Sequence, residues 1–124
     1  MTGSNKPIPR LRKALLFRLE EPLASALQQT LTLCGCKSRL IDAPAAHQRA
    51  DIVFCPSTGD LLRAALERFR GLPVVVVSRL PEESGWLDAL EAGAADYCAA
   101  PFEPIHLRWL LDAHIRPHSA SAAA

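Results

Sequence analysis

The sequence has no apolar run long enough to cross a bilayer as a helix. Its longest, Leu72 to Ser78, is the size of a strand. It also has no excess of charge. Fourteen Lys and Arg against thirteen Asp and Glu leave a formal net charge of +1. That excludes a broad electrostatic hold on nucleic acid or an anionic membrane, though not a local patch. The first ten residues contain no apolar signal core, so a cytoplasmic protein with no membrane contact is expected. Metal-site spacing is missing too. Cys34-Gly-Cys36 has no second Cys or His pair to complete a tetrahedral set, so no metal is expected. Without a secretory signal the four cysteines should be free thiols, with Cys55 and Cys98 acting as small buried hydrophobes.

What is present alternates. Lys13 to Arg18, Asp51 to Cys55 and Pro73 to Ser78 are apolar runs bounded by turn residues. The four consecutive valines, Val74 to Val77, favour extended structure and imply burial on both faces. Lys37 to Asp42 mixes polar and apolar residues, as at a sheet edge, and Asp96 to Ala100 makes a short fifth strand. Between these runs leucines recur at helical spacing: Leu23, Leu27 and Leu31; Leu62 and Leu66; Leu107, Leu110 and Leu111. Gly35, Gly71 and Gly93 close helices, and Pro22 and Pro104 open them. The stretch Ala43 to Arg49 is short and contains Pro44, so the second of the four crossovers should hold a truncated helix.

Strands alternating with helices imply a parallel sheet covered on both faces. Five strands suit the flavodoxin-like, doubly wound α/β order 2-1-3-4-5, with sites at the C-terminal ends of the strands. The domain should run over residues 12–116, between a flexible tail at 1–11 and a disordered Ala/Ser-rich tail at 117–124.

Pro73-Val-Val-Val-Val-Ser78, Ala89-Leu-Glu-Ala-Gly-Ala-Ala-Asp-Tyr97 and Pro101-Phe-Glu-Pro104 resemble the fourth strand to fifth helix of receiver domains in two-component response regulators. The resemblance covers about residues 12–116 and is pattern-level in the first half. It implies a bacterial phosphorelay module with Ser78 and Tyr97 as the hydroxyl and aromatic of the family's switch. It also implies a site of two acidic residues, an acceptor Asp and a Lys, which neutralise developing phosphoryl charge with Mg²⁺. Here the acidic pair falls on Arg18 and Leu19, the acceptor on Pro56 and the Lys on Ala100. Proline cannot accept a phosphoryl group, alanine supplies no counter-charge, and Mg²⁺ would lack hard oxygen ligands. The expectation is therefore a pseudo-receiver and not an enzyme.

Two readings of the altered site stand. In one, Ser57, Thr58 and Asp60 cap the next helix and Arg18 is a strand end, either solvated or paired with Glu20, Glu21 or Asp60. In the other, Arg18, Ser57, Thr58 and Ser78 converge on a small anion or phosphoryl group. No cofactor is expected, because Arg18-Leu-Glu-Glu-Pro22 is too bulky and acidic for backbone approach to a dinucleotide phosphate. The four histidines are scattered, and Cys55 has no base beside it.

The resemblance also implies a partner-binding or dimerising face made by the family's fourth helix, fifth strand and fifth helix. It would carry Trp86, Tyr97 and Trp109, and exposed aromatics concentrate binding energy. A protein partner or self-association is expected there, with no direct contact to nucleic acid.

Overall fold

A computed structural model describes residues 12–43, 49–79 and 83–115, the side chains of 83–86 excepted. Both expected tails, and the centre of the expected truncated helix at 44–48, lie outside the described residues. The elements are β1 (Arg12–Phe17), α1 (Leu23–Leu33), β2 (Cys36–Ile41), β3 (Ile52–Pro56), α2 (Gly59–Arg68), β4 (Val74–Ser78), α3 (Glu83–Ala92), β5 (Asp96–Ala99) and α4 (Pro104–His114). The strands form one all-parallel sheet in the order β2-β1-β3-β4-β5, as expected.

Successive strand residues point to opposite faces, and here both faces are apolar. On one face Ala14, Leu16, Phe54, Val75, Val77 and Cys98 pack against Leu27 and Leu31 of α1 and Leu107 and Leu111 of α4. On the other, Leu15, Phe17, Val53, Cys55, Val74 and Val76 meet Leu62 and Ala65 of α2 and Ala89 of α3. Phe17 and Phe69 add an edge-to-face ring contact with centroids 5.5 Å apart. This two-sided burial explains why β1, β3 and β4 read as unbroken apolar runs. β2 and β5 are the sheet edges, and β2 is the more polar and exposed.

Helix ends follow the sequence signals. Gly35 holds φ +75 just past α1, a left-handed conformation that glycine adopts without steric cost. The other end of α1 shows something the sequence reading had placed differently. Pro22 occupies the N-cap position, and the carboxylate of Glu21 accepts from Ser25 N–H at 3.1 Å and Ser25 Oγ–H at 2.6 Å. A carboxylate at a helix start satisfies an orphan donor and opposes the helix dipole.

Candidate functional site at the C-terminal ends of the strands

The parallel sheet brings the ends of β1, β3 and β4 together, and a cleft of about 210 Å³ opens between them. Arg18, Pro56, Ser57, Thr58 and Ser78 all line it, so residues 60 positions apart in sequence meet as expected. Leu19 also lines the cleft but is buried. Ala100 follows β5, and its N–H donates to Ser78 O at 2.9 Å.

Arg18 is the one described non-glycine residue with positive φ, at 56°. Its N–H donates to Ile41 O at 2.9 Å, so the strained residue sits where β1 leaves the sheet beside β2. Of the two expected states of Arg18, pairing with Glu20, Glu21 or Asp60 does not form among the described residues, and the side chain is exposed, as in the solvated alternative. Glu21 is engaged at the start of α1 instead. The expected capping of α2 also fails. Thr58 takes the N-cap position with extended φ and ψ, but no side chain makes a cap hydrogen bond there. Asp60 lies in the first turn, where it complements the dipole without capping.

Sequence reasoning missed Arg79, a second guanidinium lining the cleft. Its Nη2 donates to Glu21 O at 3.4 Å, a long contact. The signal was available, since Arg79 immediately follows the last residue of β4, at the end of the sheet where sites form. Among the lining residues one carboxylate remains, Glu20. The cleft thus offers two cations and three hydroxyls, where divalent-metal chemistry needs several hard oxygen anions.

Cys55, adjacent to Pro56, is fully buried. Burial pushes its thiol up to about 12, which disfavours the thiolate at neutral pH.

Tyr97 lies on β5 and packs, half-buried, against the core layer under α2 and α3. The backbone of Trp86 lies in α3, and its side chain is outside the described set. Trp109 is 70% exposed on α4, with Ile105, one turn earlier, 64% exposed. Leu107, Leu110 and Leu111 take the buried side of that helix, so Ile105 and Trp109 share its outer face. Leu87 and Leu90 are exposed on α3. His114 Nε2 lies 2.9 Å from Asp96 Oδ2 and ties α4 to β5.

The 2-1-3-4-5 parallel sheet, its helices on both faces and the cleft at its C-terminal ends define a receiver-fold domain. Solved structures agree. A response regulator from Thermotoga maritima superposes with TM-score 0.69 at 18% identity, over 84% of this chain and 97% of its own. The chemotaxis protein CheY4 of Vibrio cholerae gives 0.69 at 15% identity, over 86% of this chain and 100% of its own. HP1043, an orphan response regulator of H. pylori, gives 0.63 at 21% identity, over 85% and 97%. In sequence, the KDP operon transcriptional regulatory protein KdpE of Escherichia coli K12 is 41% identical over 58 residues. That is 47% of this chain, and the match spans about a quarter (26%) of KdpE. No family model matches the sequence.

Proposed function

We propose that this chain is a bacterial, cytoplasmic pseudo-receiver of two-component signalling. It acts without phosphorylation, by binding a protein partner or a second copy through the face of α3, β5 and α4. Residues 12–116 form the signalling domain, and the chain is not an enzyme. The observation that carries this reading is the pairing of an outward apolar face, Ile105 and Trp109, with a cleft lined by Pro56 and Arg18, at positions where the receiver resemblance implies carboxylates. Large apolar side chains clustered in solvent mark contact surfaces, and Trp is the residue most enriched in binding hot spots. Switch-like roles for Ser78 and Tyr97, and an interface role for Trp86 and Tyr97 beside Trp109, belong to the same proposal.

The test is intact mass and thermal unfolding with Mg²⁺ and either a small phosphoryl donor or beryllofluoride. No adduct and no shift in melting temperature are expected. A covalent adduct, or a Mg²⁺-dependent rise in melting temperature, would overturn the proposal and show that a working phosphorylation switch persists.

A second reading has its own support: the cleft as a receptor for a small anion. Arg18, Ser57, Thr58 and Ser78 line one cavity, Arg79 joins them, and the first turn of α2 has no side-chain cap. Uncapped N–H groups and two guanidinium groups suit an oxyanion. Titration with inorganic phosphate, followed by amide chemical shifts of Ser57 to Asp60, decides it; shifts confined to those residues support the anion site.

A further inference from the structure

The sheet carries a second concave surface at its opposite edge and nearer the other end of its strands. A groove of about 600 Å³ is lined by Lys13, Lys37, Arg39 and Arg49, over a floor of Ala14 and Leu15. All four cationic side chains are exposed, and among the described residues none pairs with a carboxylate. The neighbouring Asp51 accepts from the backbone N–H of Lys13 at 2.9 Å.

The ladder makes this clustering costly. Lys13 and Lys37 are register partners in the β1–β2 pair, and Leu15 and Arg39 are the next pair on the same face. Like charges placed directly opposite across two strands are destabilising. α1 covers β2 from the other face, while α2 packs on β3 and β4, so the cationic face of β2 meets no helix among the described residues. The cost is local: of the residues outside the described set, 1–11, 44–48 and 116–124 contain no Asp or Glu, and 80–82 contribute only Glu82.

We infer that this groove is a docking site for an acidic segment of a partner protein. The occupant's carboxylates would sit between Lys13, Lys37 and Arg39 and relieve their repulsion. Single-stranded nucleic acid fits less well, because none of the described residues lining the groove is an aromatic that could stack on a base. A long duplex would run past the groove onto a chain whose remaining charge is −3 once these four cations are set aside. A second copy is disfavoured by its own acids. Of the six carboxylates in residues 83–115, Asp96 and Asp112 are already engaged with His114 and Arg12. A head-to-tail contact would also propagate from copy to copy into a filament. The inference goes beyond the α3–β5–α4 face and stands if that reading fails.

The test uses the full chain and a fluorescein-labelled oligoglutamate peptide of about ten residues, long enough to cross two strands. Fluorescence anisotropy should show saturable binding that weakens as salt rises. Lys37→Ser with Arg39→Ser should weaken it roughly tenfold, while Trp109→Ala leaves it unchanged. Lys37→Ser alone should raise the melting temperature of the unliganded protein, since it removes the opposed like charge. No binding at low salt, or binding indifferent to the double substitution, would overturn the proposal and leave Lys37 as a guard against edge-strand aggregation. So would stronger binding of a short DNA duplex than of the peptide, which would assign the groove to nucleic acid. Salt-sensitive self-association abolished by the same double substitution would overturn it in favour of a second copy.

Discussion

Residues 12–79 hold ten basic and six acidic side chains, a net +4; residues 83–115 hold one basic and six acidic, a net −5. The near-neutral total conceals two oppositely charged parts of the chain, the first holding β1 to β4 and the second β5. Cations line both concave surfaces, Arg18 and Arg79 in the cleft and Lys13, Lys37, Arg39 and Arg49 along the β2 edge, and of these Arg18 stands where the receiver resemblance implies an acid. The fold survives this exchange because it rests on the two apolar layers and not on the site. The difference in charge therefore concerns surfaces, and the interior should behave as one unit. Leu111→Ala gives the largest expected effect. Leu111 is fully buried in the layer that joins α4 to β1, β3 and α1, and its loss should cost about 2–5 kcal/mol. Urea unfolding followed by tryptophan fluorescence and by far-ultraviolet dichroism should stay coincident. Two separated transitions would show that the halves fold apart.

Trp109→Ala, two residues away, tests the opposite side of the same helix. Its side chain is mostly in solvent, so stability should change by less than about 0.5 kcal/mol. Partner capture should fall by about 2 kcal/mol or more, the level of a hot-spot residue. Unchanged capture would remove Trp109 from the interface. Next in size is Glu21→Ala. If Glu21 caps α1, its loss costs about 1 kcal/mol and lowers the melting temperature by roughly 5 °C. If Glu21 instead held a metal, the substitution would abolish a Mg²⁺-dependent stabilisation, and calorimetry with and without Mg²⁺ separates the two roles.

The strands were legible because burial on both faces writes itself as Leu, Val and Phe runs, and the order 2-1-3-4-5 followed from their alternation with helices. Gly35, Gly71 and Gly93 marked helix ends and all three adopt positive φ. The convergence of Arg18, Ser57, Thr58 and Ser78 was legible for the same reason, since they follow or end neighbouring strands. Side-chain partners were not. Glu21, Asp60 and Thr58 are all chemically able to cap or to pair, and backbone geometry decides between them. Only Glu21 lies where a carboxylate reaches the Ser25 N–H. Arg79 was missed because the family pattern directs attention to the switch hydroxyl beside it. The β2-edge groove was invisible because Lys13 and Lys37 are far apart in sequence, and only the strand register sets them side by side.

The smallest effect concerns the thiols, which compare the two halves from inside. Cys36 and Cys55 lie in the basic half and Cys98 in the acidic half, yet burial pushes all three up to about 12. The field of nearby charges is secondary to desolvation at Cys36, where Asp51 raises and Arg12 lowers the value, and at Cys98, where Asp96 raises it. A thiol-directed reagent near neutral pH should therefore modify only the partly exposed Cys34 in the native protein, and all four cysteines after unfolding. The pH dependence has a fixed sign. Below the ordinary value of 9 the thiols are protonated in both states and the stability they confer is complete. Above it the unfolded chain ionises first and binds fewer protons, so stability falls as pH climbs towards 12. Urea midpoints should be flat near neutrality and decline in mildly alkaline buffer. Rapid native labelling of Cys98 with Cys36 and Cys55 protected would show that the acidic half opens locally, and would break the equivalence of the two interiors.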